Sequence, residues 1–155
     1  MFIVPSIASA DYLNLGKCVE FADKEYGKLH CTIADGNFVP YVTFGMRCMG
    51  QICDAAQSIL SVHLLVTDPL AYAEPLARCY PETVFLHLAA LPYPLEAVNR
   101  YRALGMGVGL ALTPRESTDG LEYLVHKVDA ILQVTNEPGG RGGGYLPVLE
   151  PKIAR

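Results

Sequence analysis

Six short apolar runs set the pattern of the chain: Phe2–Ile7, Lys28–Ala34, Ser61–Val66, Thr83–Ala90, Gly107–Thr113 and Ala130–Thr135. Each is followed by a turn signal and then by a stretch that fits a helix. Near-continuous apolar strands alternating with helices predict a parallel α/β sheet covered on its faces. Leu13–Lys24 places Leu15, Cys18, Val19 and Ala22 on one helical face, and Met46–Ile59 does the same with Met49, Ile52, Cys53 and Ala56. Asp68-Pro69 reads as a helix cap followed by proline at the first helical position, and Pro75 should bend or break that helix. Pro94 starts a cleaner helix that Gly105 stops, and Ser117–Val128 is expected to be the fifth, with His126 and Lys127 at its C-terminal end.

The spacing is that of strand-helix units, and six of them would need two more to close a barrel. About ten residues follow Tyr145, enough to begin another helix. The 155 residues, 51% hydrophobic and 18% charged, fit a single globular domain over 1–155, whole or partial. A net charge of −4 gives no basic footprint, which argues against nucleic acid or an anionic membrane as the partner. Phosphorylated small molecules stay open, because backbone amides bind them without net positive charge. The start of the chain lacks a signal-peptide pattern and no apolar run reaches membrane-spanning length. Five cysteines without C-x-x-C spacing then point to reduced thiols in a cytoplasmic protein.

The stretch from His30 to Pro40 carries the most chemistry. Strand alternation puts His30, Thr32 and Ala34 on one face and Cys31 and Ile33 on the other. Asp35-Gly36 then turns the chain, and Asp35 is explained as the turn-forming residue. On these residues alone the favoured reading of His30 is a buried histidine satisfied by a backbone partner. Gly139–Gly144 is the one glycine-rich segment, open to two readings: a surface loop, or a backbone cradle for an anion with Arg141 beside it.

Several segments together resemble the ribulose-phosphate 3-epimerases and related sugar-phosphate 3-epimerases. They are Pro5–Asp11, His30–Pro40 with Thr43-Phe44-Gly45, Val62–Val66, Gly107–Leu112 with Pro114, and Thr135 with Pro138-Gly139. The resemblance implies a (β/α)8 TIM barrel, of which this chain would supply about six of the eight units. It implies interconversion of pentulose 5-phosphates by proton abstraction beside the ketone, assisted by a divalent metal (Zn, Fe, Mn or Co). His30 and His63 fall on the two metal-binding histidines, and Ser6 on a serine that contacts substrate. Gly139, Gly140, Arg141 and Gly142 fall in the loop that closes on the phosphorylated ketose.

Two departures stand beside the match. Thr32 occupies the position of the first catalytic aspartate, and the second belongs to a seventh strand not present here. The methionines that line the family's pocket are replaced by Ala34, Leu65 and Val134. His87 is read as a core or supporting histidine, and His126 as a surface one. The alternative is a catalytically disabled barrel homologue that binds a phosphosugar or serves as an interaction protein. An incomplete barrel would also expose sheet edges, so a homo-oligomer or a partner chain is expected.

Overall fold

The computed structural model describes residues 2–137 and 143–154. In chain order its elements are α1 (Leu15–Glu25), β1 (Lys28–Ala34), α2 (Met46–Ala55), β2 (Ile59–Leu65) and α3 (Ala73–Ala77). There follow β3 (Thr83–His87), α4 (Pro94–Ala103), β4 (Gly107–Leu112), β5 (Ala130–Gln133) and a short C-terminal α5 (Glu150–Ile153). The five strands form one parallel sheet in the order β1-β2-β3-β4-β5. Sequential order is consistent with the winding of a barrel, whereas a doubly wound sheet reverses its order at a switch point.

Alternation along the strands divides the side chains cleanly. One face carries Leu29, Cys31, Ile33, Leu60, Val62, Leu64, Val84, Leu86, Val108 and Leu110, all buried in one core. Helix residues close over them: Val19 and Ala22 from α1, Met49 and Ile52 from α2, Leu76 from α3, and Ala97, Val98 and Tyr101 from α4. Each large side chain buried this way stabilises the fold by about 2 kcal/mol. Cys31 lies in that core as its parity requires, and the five cysteines are all free. The opposite face carries Lys28, His30 and Thr32, then Ser61 and His63, then Phe85 and His87, matched by the register of the pairs.

The helix expected over Met46–Ile59 ends at Ala55, and Ile59 opens β2; two other expected elements differ more. Phe2–Ile7 makes only a single bridge, Ser6 to His30, with the His30 amide donating to the Pro5 carbonyl at 2.9 Å. Pro5 has no N–H to extend a ladder, and Phe2 and Ile3 are exposed, so nothing fixes a longer strand. The described residues therefore hold five strands and two isolated bridges, Ser6–His30 and Asp35–Val42. Ser117–Val128 is a series of turns ending in a 3-10 turn at Val125–Lys127. Gly120, at φ +80°, takes a conformation that ends helical propagation, and buried Leu124 anchors the segment instead. No described helix is long and apolar enough to cross a membrane.

Candidate functional site

The C-terminal ends of the strands open onto a cleft of about 800 Å³. Ser6, His30, Thr32 and His63 all line it, so three separated stretches of sequence meet at one place. The far wall is Leu132–Glu137, running off β5, and the near rim is Pro40–Thr43. Leu65 and Val134 also face the cleft, while Ala34 packs instead with Val39 and Leu65, against which Phe38 rests. Gly139, Gly140, Arg141 and Gly142 lie outside the described residues, but the flanks of that loop do not. Asn136 Nδ2 donates to the Gly143 carbonyl at 3.3 Å, and the Leu146 amide to the Thr135 carbonyl at 2.9 Å.

The rim beside β1 is tied down by two side chains. The Thr43 hydroxyl donates to the Thr32 carbonyl at 2.8 Å and accepts from the Ala34 amide at 3.0 Å. Asp35 accepts from the amides of Asn37 and Phe38, each at 2.8 Å, and from the amide and hydroxyl of Thr67 at 2.8 and 2.9 Å. Burial alone would raise its pKa. The Thr67, Phe38 and Asn37 amides, with the Thr67 hydroxyl, outweigh that and hold it at about 2. Asp35 is thus a structural anion joining the β1 and β2 loops, in line with its reading as the turn former.

Three imidazoles step across the sheet. His30 Nδ1 lies 2.8 Å from Ser61 Oγ, and its ring centroid is 5.9 Å from that of His63. His63 Nε2 lies 2.8 Å from His87 Nε2, and the Phe38 ring covers His87 at a centroid distance of 5.0 Å. Burial pushes His30 down to about 4 and His87 down to about 4. His63 is lowered well below its ordinary value by burial and by both neighbouring histidines. Burial thus favours the neutral form of all three imidazoles.

Among the described residues the donor set falls short of a divalent-metal site. Among the described residues no group of three histidine, cysteine or acidic side chains is placed to hold one. Thr32 offers an alcohol where a carboxylate oxygen is wanted. Two imidazoles fall short of the three or four protein ligands usual for such ions.

Two participants escape a reading of the sequence. Glu137 is the single carboxylate lining the cleft among the described residues; its position beside Pro138 in the loop after β5 is the available signal. The His63–His87 contact is diagonal, since the register partner of His63 is Phe85, and residue pattern alone does not supply register. His126 is exposed on its 3-10 turn, as expected of a surface histidine.

A sequential parallel sheet with polar residues gathered at its C-terminal edge places the chain among the α/β proteins whose sites form at that edge. Within that class the chain belongs to the ribulose-phosphate 3-epimerase family, whose profile matches residues 2–155. It is 32% identical to the ribulose-phosphate 3-epimerase of Synechocystis over 154 residues, 97% of this chain and 67% of that one. The enzyme of the same name from Schizosaccharomyces pombe is 32% identical over 156 residues, covering 97% and 68%. The one from Bacillus subtilis is 29% identical over 154 residues, covering 97% and 70%. The chain thus spans about two thirds of the length of these relatives.

Proposed function

We propose that the cleft takes a pentulose 5-phosphate and interconverts its epimers at the carbon beside the ketone. The observation carrying this reading is the meeting of Ser6, His30, Thr32 and His63 in one cleft of a chain from this family. The proton beside a ketone leaves only if a base is within reach and the developing oxyanion is stabilised. Thr32 cannot take that proton near neutral pH, but its hydroxyl can donate to an enediolate oxygen.

Inversion needs a proton-transfer group on each face of the substrate. β1 and β5 are the outer strands of the sheet, and both His30 on β1 and Glu137, beyond the end of β5, line the cleft. In this reading Glu137 serves one face of a bound ketose and His30 the other. His63 donates to the oxygen between them, and Ser6 holds a substrate hydroxyl. In this reading Gly139, Gly140, Arg141 and Gly142 receive the phosphate.

The test is solvent deuterium exchange at C3 of ribulose 5-phosphate. It is run with a chelator and, separately, with added Zn²⁺, Fe²⁺, Mn²⁺ or Co²⁺. Exchange should proceed with the chelator present, vanish in His30→Ala and fall by about a hundredfold in Glu137→Gln. Exchange seen only with added metal would refute the roles given to Glu137 and His30. Phosphosugar binding without any exchange would replace the proposal by that of a disabled binding homologue.

A further inference from the structure

We propose that Tyr41 sets the sugar specificity of the cleft: its hydroxyl, held by no other group of the protein, takes the C1 hydroxyl of a bound ketose. This deepens, and rests on, the reading of the cleft given above.

Tyr12, Tyr41 and Thr43 all line the cleft, and two of their three hydroxyls are spent. The Tyr12 hydroxyl donates to the Ala8 carbonyl at 3.0 Å, and its ring meets Phe44 edge-on at a centroid distance of 6.1 Å. The Thr43 hydroxyl has its donor and acceptor roles filled by β1. Among the described residues no hydrogen bond reaches the Tyr41 hydroxyl. Tyr41 is 38% exposed, enough for a ligand in the cleft to reach the phenol. Burial raises its pKa above the ordinary value, so it keeps its proton and is a donor at neutral pH.

The backbone that carries Tyr41 is fixed before any ligand arrives. Pro40 restricts the chain on one side, and on the other Val42 bridges Asp35. The Tyr41 amide donates to the carbonyl of Val39 at 2.9 Å, and Val39 is buried with Ala34 and Leu65. A tyrosine on such a wall has only two side-chain torsions to freeze, a small entropic cost for one directed hydrogen bond.

Which hydroxyl it meets follows from the two walls. Pro40–Thr43 follows β1 and Leu132–Glu137 runs off β5, with β2, β3 and β4 between those strands in the sheet. A pentulose 5-phosphate whose phosphate lies at the loop after β5 reaches the β1 wall with its other end, C1. The C1 hydroxyl takes no part in the inversion at C3, so the contact persists through the reaction. It therefore acts on binding: KM shifts and kcat does not.

Isothermal titration calorimetry of the full chain with D-xylulose 5-phosphate and with 1-deoxy-D-xylulose 5-phosphate tests this. The wild type should bind the first about fivefold more tightly than the second. Tyr41→Phe should weaken binding of xylulose 5-phosphate by about the same fivefold and leave the 1-deoxy sugar unchanged, which brings the ratio near one. Tyr12→Phe, whose hydroxyl is committed to Ala8, should keep the wild-type ratio. A wild-type ratio near one overturns the proposal even if no variant folds. So does a Tyr41→Phe loss shared equally by both sugars, an unchanged ratio in that variant, or a ratio that collapses in Tyr12→Phe instead. Failure of both sugars to bind the wild type would refute the reading of the cleft and this proposal with it. The expected ratios without deuterium exchange at C3 would refute the epimerase reading alone.

Discussion

Replacing Asp35 by alanine removes one side chain that four donors share, and the cost can be worked out from the structure. The carboxylate receives three backbone amides and one hydroxyl, all between 2.8 and 2.9 Å. Its pKa falls from 3.8 to about 2 in the folded chain, a preference for the charged form worth about 2 kcal/mol. A depressed carboxyl contributes that stability fully above the unfolded value, and loses it as pH falls through the folded one. Asp35→Ala should therefore lose about 2 kcal/mol at pH 7, and the gap to wild type should narrow as pH drops from 4 toward 2. Asp35→Asn, with one acceptor oxygen left, should fall between the two. Urea unfolding followed by far-UV circular dichroism reads this out: the midpoint should drop by about 1 M with the slope unchanged. A loss under about 0.5 kcal/mol at pH 7, or one that stays constant down to pH 2, would refute the assignment of Asp35 as the charged knot of the rim.

Two further predictions concern packing. At Gly109 an added Cβ would run into the Phe85 ring and approach the Ala130 carbonyl at 3.2 Å, so Gly109→Ala should destabilise the chain by about 1–3 kcal/mol. Thermal unfolding checks it, and an unchanged midpoint would mean that Phe85 can swing aside. The Tyr101 hydroxyl, fully buried, donates to the Pro69 carbonyl at 2.6 Å, so Tyr101→Phe should lose about 1–2 kcal/mol. Chemical denaturation measures that loss, and a neutral outcome would show that Pro69 finds another donor.

How much of the molecule is legible in its sequence depends on how local each cause is. β1 occupies the residues its alternation predicts, Lys28–Ala34, because parity and the Asp35-Gly36 turn both act within one stretch. α4 begins at Pro94 as expected, since proline at a first helical position is a local preference. Ser117–Val128 misleads because its apolar spacing conceals Gly120, whose backbone conformation interrupts the helix. Phe2–Ile7 has strand composition, yet a strand forms only where a neighbour supplies hydrogen bonds, and Pro5 limits those. At the site, His30, His63 and Ser6 are placed by motif and do meet. The links that give them chemistry, His63 to His87 and Ser61 to His30, cross between strands and depend on register.

The Thr43 hydroxyl that clasps β1 at Thr32 and Ala34 has a consequence for how a ligand is selected. Because that clasp and the Asp35 knot fasten the same wall to two strands, the wall behaves as part of the sheet and offers a fixed template. If the cleft takes a ketose as proposed, one too bulky at that side would be excluded by shape before any chemistry begins. Discrimination there works like a mould whose dimensions are set when the chain folds, and substitutions at Thr43 should broaden the range of sugars admitted before they slow the reaction.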